Sequence, residues 1–431
     1  MFMQTEGFMK VYKNILKLLM FAFFSFNFGY ASYLNPKLKK LILDALKNSN
    51  YIQSLKYSLE AYKLNEDILK RIKGPKLDLS SNFLPFQFQH TFKPVSKNDF
   101  LTSFSLGLNL NYILYDPKYN LNLKNTKIDY NRQKLSYLKE KLNIEYTFIS
   151  LYLKFLKIKD LLKLEKQNLD LSKKIYLLAL EKYKAGIVPQ ENIINYFIFL
   201  KEKEKALSNL EAELLNLKEK LSYYLKEKSI PLIKLNKPPE KINIKPINLE
   251  KENIKYLISM KKISIQKLKE KLVVGFTSSF NFGSSFNLKN LNWDNSNIFT
   301  GLTVGVSLSL PIFDNHKTKY EILKIKKEIL SLKKKLADIE QSFYLKLKEK
   351  WNIYKNNKNN FELQKRITEL YKKTFFINKE KFQQGQASLE DVLEAQKNLL
   401  NSKKNEILTF YQIWESFFDY LKTANVDLLN L

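Results

Sequence analysis

The chain has 431 residues, with 73 Lys+Arg against 43 Asp+Glu, a formal net charge of +30 and no cysteine. The missing cysteines exclude a disulfide framework and a lipid carried on an N-terminal cysteine, so packing or assembly must hold the fold. The basic excess does not make a nucleic-acid binder, because the lysines are spread along nearly every helical segment and form no phosphate-tracking stripe with stacking aromatics.

Residues 1–31 have the pattern of a signal peptide. Lys10, Lys13 and Lys17 flank the start of the apolar stretch "ILKLLMFAFFSFNFGYAS", and Gly29 and Ala31 put small residues where a signal peptidase reads, so cleavage is expected after Ala31. Met9 is an alternative start that leaves a more ordinary leader. Beyond this segment no apolar run reaches the roughly 18 residues of a spanning helix, which leaves a soluble protein or a β-barrel.

In chain order, a first repeat is expected over 32–226. A helix at 36–73 precedes a β-hairpin at 76–115, with strands at 76–90, interrupted by Pro85, and at 101–115. The second strand is two-faced: Phe104, Leu106, Leu108, Leu110, Tyr112 and Leu114 alternate with small or polar residues from Ser105 to Asn111. A helical hairpin then fills 117–226. Its first arm has no Pro or Gly from 118 to 184, and carries Leu142, Ile149 and Leu156, then Leu164, Leu171 and Leu178, at heptad spacing. At 1.5 Å per residue such a helix is about 100 Å long, more than a globular core can use. Gly186 stops it, and a second arm returns at 190–226.

The segment 227–247 reads as an extended, proline-rich linker. A second repeat follows over 248–424: a helix at 248–271, a β-hairpin at 272–313 with strands at 272–288 and 299–313, and a helical hairpin at 315–424, with 425–431 as a tail. Leu302, Val304, Val306, Leu308 and Leu310 alternate with Thr303, Gly305, Ser307 and Ser309. Ile325, Leu332 and Ile339, then Leu363, Leu370 and Ile377, repeat the heptads. Asp116 matches Asp314 at an offset of 198 and Gly186 matches Gly385 at 199, so the unit is a duplicated domain and not a solenoid repeat.

Strands of this length, with one apolar and one small polar face, suit a transmembrane barrel. Four strands cannot close a barrel, and lipid forbids an open sheet edge, so the wall must be shared between chains: three copies supply twelve strands. The fold class expected is therefore mixed and mainly α, with long coiled-coil hairpins and a four-strand contribution to a trimeric barrel. A globular sheet with its polar face in water, or a secreted coiled-coil scaffold or adhesin without a barrel, is the alternative; the scaffold accounts for the heptads but not for the duplicated strands. Enzyme chemistry is not expected. His90 and His316 are the only histidines, both near strand ends, and no phosphate-cradling glycine motif occurs.

The strand-to-helix junctions "YILYDPKYNLNLKNTKI" and "LSLPIFDNHKTK" and the hairpin tips "YKAGIVPQENII" and "FQQGQASLEDVLEAQ", duplicated in one order, make the chain resemble TolC-family outer membrane efflux proteins over about 36–424. That resemblance implies a homotrimer in outer membrane lipid with a helical tunnel in the periplasm. It implies a passive exit duct of a tripartite efflux or type I secretion system, working with a periplasmic adaptor and an inner-membrane transporter, without cofactor or metal. It places Asp116, Pro117, Pro311 and Asp314 at the turn from barrel to tunnel, and Tyr183, Gly186, Ile187, Phe382 and Gly385 at adaptor-contacting tips. Asp391 and Glu394 would ring the periplasmic aperture as its gate. These two carboxylates are equally open to a plain role, since "SLED" from Ser388 is a capping box and acids suit a helix start. Where the family often has a latching arginine stands Ala387, and Glu191 and Asn192 replace a small hydroxyl and an aspartate; Lys184, Lys381 and Glu191 are substitute latch candidates.

Overall fold

The computed structural model describes residues 34–91, 97–186, 189–227, 229–239, 244–287 and 297–431; the expected signal peptide lies outside them. The elements in order are α1 (Pro36–Asn48), α2 (Asn50–Ile72), β1 (Lys76–Thr91), β2 (Lys97–Tyr115), α3 (Lys118–Lys184), α4 (Gln190–Leu225), α5 (Leu249–Lys269), β3 (Val273–Asn287), β4 (Asn297–Ser309), α6 (Lys317–Gln383), α7 (Leu389–Thr423) and a 3₁₀ turn at Leu428–Asn430. They group into two compact units that cut across the two repeats.

One unit, residues 53–138 and 248–343, holds a single antiparallel sheet in the order β1-β2-β3-β4. Its register sorts residues by chemistry. One cross-strand row runs Leu79, Leu108, Phe280, Leu302, and its neighbours run Leu77, Leu110, Ser278, Val304 and Ser81, Leu106, Phe282, Thr300. The opposite face carries Ser80, Gly107, Asn281, Gly301 and Asp78, Asn109, Ser279, Thr303. A period of two and a fixed register thus gather most apolar residues on one face and small polar ones on the other, with Ser81, Ser278 and Thr300 as exceptions on the apolar side. The apolar face is not covered: Leu79, Leu106, Leu108, Phe280, Leu302, Val304 and Val306 are all exposed. Gly107 makes room for its neighbours: a Cβ there would sit 2.6 Å from Asn281 Oδ1 and 2.9 Å from Ser80 Oγ, and those two side chains would have to turn aside. Around Pro85 the β1–β2 register shifts between Leu84 and Gln87, the bulge that a residue without an N–H forces on a ladder.

Beside the sheet, Ile254 and Ile258 of α5 cluster with Ile329 and Ile339 of α6. Lys251–Glu340 and Lys261–Glu328 ion pairs, each 2.7 Å, flank that cluster.

The other unit covers residues 34–52, 139–247 and 344–431. Its core takes the first heptad positions of α3, Leu142, Ile149, Leu156 and Leu164, together with Phe148, Tyr152 and Phe155, and from α7 Ile413, Phe417 and Leu421. Leu178, further along α3, and Leu363, Leu370 and Ile377, at heptad spacing on α6, are exposed. The linker is held by tyrosines. Tyr152 Oη donates to the Pro231 carbonyl at 2.8 Å and accepts from Ile233 N at 3.1 Å, and Tyr354 Oη donates to the Pro239 carbonyl at 2.7 Å.

The single helix expected over 36–73 is broken. Ser49 has an extended backbone, and the Asn48 side chain donates to the carbonyls of Tyr224 and Leu225 at 3.2 and 2.9 Å, completing the last turn of α4. The demand of that helix end for donors decides where α1 stops, which no local pattern encodes.

The C-terminal segment packs on α3 through a buried carboxylate. Glu145 accepts from Leu428 N at 3.1 Å and pairs with Lys141 at 3.4 Å; Lys141 also meets Asp427 at 2.6 Å, and Tyr146 Oη donates to the Val426 carbonyl at 2.8 Å. Burial, with the Asp427 charge adding to it, pushes Glu145 from 4.5 up to about 7 against the pull of Lys141. An acid raised on folding contributes most below its unfolded value, and the contribution fades as pH climbs through the folded one. Between pH 5 and 7.5 the wild-type melting temperature is therefore expected to fall by several degrees more than that of Glu145→Gln, followed by circular dichroism; parallel curves would remove Glu145 as the cause.

Candidate functional site

The positions singled out by the repeats fall at two kinds of place, strand-to-helix junctions and helical-hairpin tips. At the first junction Asp116 Oδ1 accepts from Lys118 N at 2.8 Å and its carbonyl accepts from Tyr119 N at 3.1 Å, which caps α3; Pro117, lacking an N–H, loses nothing there. At the second, the Asp314 carboxylate accepts from the Thr318 hydroxyl, from Thr318 N at 3.4 Å and from Lys271 Nζ at 3.2 Å. The Thr318 hydroxyl foremost, then Lys271, holds Asp314 below its usual range.

The two junctions differ by one residue. Lys118 and Lys317 begin helices of 67 residues each and lie 199 apart, whereas Asp116 and Asp314 lie 198 apart. The extra residue sits in the turn Asn315-His316, where both residues take left-handed φ of 47° and 61°. The strand expected to reach 313 stops at Ser309. Its partner β3 starts at Val273, opposite Ser309, so Leu310 to Phe313 run past the end of the ladder, and Pro311 has no N–H to donate.

At the tips Gly186 and Gly385 take φ of 71° and 76° with open space around them, so conformation and not packing calls for glycine. Gly385 N bonds the Phe382 carbonyl at 3.1 Å and Gln386 N bonds Lys381 at 2.8 Å, the paired bonds of a Schellman cap; Gly186 N bonds Tyr183 at 2.8 Å in the same way. Ile187 lies outside the described residues. Helix α7 then opens with a complete capping box. Asp391 N donates to Ser388 Oγ at 3.1 Å, while Asp391 Oδ2 accepts from Ser388 N at 2.8 Å and from its hydroxyl at 2.7 Å. Those bonds hold Asp391 below its usual range. Asp391 and Glu394 are both exposed on the same stretch of helix.

The tips of the two repeats touch by pairing Phe382 and Asn192, already marked in the sequence, with Lys182 and Glu390, which the sequence pattern did not single out. Lys182 Nζ lies 4.4 Å from the centroid of the Phe382 ring, and Asn192 Nδ2 donates to Glu390 at 3.0 Å. The side chains of Lys184, Lys381 and Glu191 take no part in these contacts. The duplication was the available signal: at an offset of 199 it sets Asn192 against Asp391 and Glu191 against Glu390. Among the described residues no group of three or more His, Asp or Glu side chains could hold a metal, and no helix is long and apolar enough to cross a membrane.

No protein-family model and no curated protein sequence matches the chain. Solved structures do. The fold is similar to the Campylobacter jejuni CmeC outer membrane channel, with a TM-score of 0.72 and 17% identity over 90% of this chain and 86% of that one. It is similar to the Vibrio cholerae outer membrane protein VceC, with a TM-score of 0.72 and 13% identity over 91% and 97%. It is also similar to the open state of the Neisseria gonorrhoeae MtrE outer membrane channel, with a TM-score of 0.69 and 14% identity over 91% and 90%. The chain thus has the fold of outer membrane channels along nearly its whole length.

Ser388→Ala removes the hydroxyl of the capping box, a loss of about 1 kcal/mol. Amide exchange over the first turn of α7 is expected to quicken about fivefold while the core of α3 is unchanged. The box contributes above the usual carboxylate range and is lost as acid protonates Asp391, so wild type should approach the variant as pH falls below about 3.8. Equal exchange in the two proteins at neutral pH would show that the box does not order the tip.

Proposed function

We propose that this chain is an outer membrane channel: a homotrimer whose twelve strands form the barrel wall, with the helical hairpins making a periplasmic tunnel. The observation that carries the proposal is a four-stranded sheet with one exposed apolar face, one small polar face and two unpaired edges. In water that face would favour aggregation. In lipid it is the outer wall, and the Ser, Gly, Asn and Thr rows line the lumen. The exposed heptad residues Leu363, Leu370 and Ile377 supply an apolar stripe for helix packing between copies. A secreted scaffold without a barrel would use the stripe but has no use for the exposed apolar sheet.

The duct is passive and acts as the exit of a tripartite efflux or type I secretion assembly; an inner-membrane transporter supplies the energy. The periplasmic adaptor engages the tips around Tyr183, Gly186, Ile187, Phe382 and Gly385. Asp391 and Glu394 from three copies form two acidic rings at the aperture, and the capping box sets the position of the first ring. Asp116, Pro117, Pro311 and Asp314 turn each chain from barrel into tunnel.

In cells the protein is expected in the outer membrane fraction and, in detergent, at three times the chain mass; a soluble monomer would favour the scaffold. In planar bilayers, replacing Asp391 and Glu394 by alanine is expected to weaken block by divalent cations. Unchanged block with intact trimers would remove these two residues from the gate.

A further inference from the structure

Within one chain the two repeats meet along β2 and β3. The end of β2 runs beside the start of β3, with Ile113 opposite Gly275 and Tyr115 opposite Val274. The duplication carries this arrangement to the two free edges. Residues at the end of β2 recur 198 positions later, so Leu114 and Tyr115 correspond to Ile312 and Phe313. The start of β3 corresponds to the start of β1, because Val274 pairs with Leu308 as Leu77 pairs with Leu110. β4 ends, and β1 begins, at the same end of the sheet, and the two are antiparallel.

The two seams differ in cover. Leu114 and Tyr115, beside β3, are 52% and 51% exposed, whereas Ile312 and Phe313, beside nothing, are 94% and 81% exposed. The backbone from Leu310 to Phe313 lies beyond the ladder and makes no hydrogen bond among the described residues. Where α2 passes into β1, an open cleft of about 490 Å³ lies over the β1–β2 pair, lined by Ile68, Ile72 and Pro75 together with Arg71, Lys76 and, from β2, Asn111 and Ile113. A protruding apolar pair on one edge and the unpaired start of β1 on the other, at the same level of the sheet, are what a head-to-tail interface between identical chains requires.

We propose that the segment Pro311-Ile312-Phe313 of one copy docks against the α2–β1 turn of the next. The β2–β3 seam is its template: Phe313 stands by the neighbour's Leu77 as Tyr115 stands by Val274. The occupant is a second copy of this chain, since the template is the chain's own sequence in its other repeat. The wall is thus locked at its tunnel end by a side-chain contact as well as by strand pairing. This inference rests on the trimeric channel reading and adds to it a specific contact that the trimer could lack.

Because the chain has no cysteine, engineered pairs read cleanly. The full chain carrying Phe313→Cys and Leu77→Cys is oxidised in outer membranes, beside each single variant and beside wild type treated with glutaraldehyde. The double variant is expected to give covalent dimers and trimers on non-reducing gels, and the single variants none. Ile312→Ser with Phe313→Ser is expected to lose the trimer band on unheated gels at a lower temperature than wild type. Glutaraldehyde trimers without disulfide-linked species, and with no change in heat resistance, would overturn the docking contact and leave the channel reading standing. Monomers in every arm would overturn both.

Discussion

The structure depends on one constraint: a backbone N–H or C=O that leaves water must find a partner. β1 and β4 each present an unpaired edge, and the face between those edges is apolar. A globular protein would cover such a sheet with its own helices, as α5 and α6 cover each other through Ile254, Ile258, Ile329 and Ile339. Here no helix covers the rows of Leu79, Leu108, Phe280 and Leu302, so face and edges both call for partners outside the chain, and the proposed trimer in lipid would satisfy both demands. The other features follow from the same need. The register separates the two chemistries over most of its length, and glycine at 107 leaves room for Asn281 and Ser80 to fill the small polar face.

Much of this was legible in the sequence because it obeys short periods. Alternation from Phe104 to Leu114 and from Leu302 to Leu310 marks the faces, and the heptads mark α3 and α6, because a period of 2 or 3.5 records which side of an element is buried or bound. The junction aspartates and tip glycines were legible for a different reason. A cap and a left-handed turn each require a particular residue type at a particular place, and the duplication displays each requirement twice. What stayed hidden depends on distant partners. The break at Ser49 exists because Asn48 serves the end of α4, and Tyr152 and Tyr354 hold the linker through main-chain carbonyls that any residue could supply. Lys182–Phe382 and Asn192–Glu390 join tips that lie about two hundred residues apart in the sequence.

The outer heptads separate pattern from burial. Leu142, Ile149 and Leu156 are buried within the chain, while Leu363, Leu370 and Ile377 continue the same spacing and are exposed. Periodicity reports that a face has a partner without saying whose. The exposed stripe and the open sheet edges are thus two forms of one deficit, and a symmetric assembly removes both at once.

Charge distribution bears on how such a chain avoids wrong partners before it assembles. The strands contain Lys76 and Lys97 against Asp78 and Asp99, so the sheet carries no net charge, and Lys76 pairs with Asp78 at 2.9 Å. The net charge of +30 lies outside the strands. A neutral sheet suits a lipid wall, where each unpaired charge is costly, and a strongly basic helical surface keeps single chains apart by repulsion while the apolar stripes are still bare. Repulsion of this kind is long-ranged and non-specific, whereas strand pairing and apolar docking act only at contact. In the proposed trimer, chains would come together stably only where edge, stripe and junction engage simultaneously, which would let an aggregation-prone sheet be built from a chain that carries so much charge of one sign.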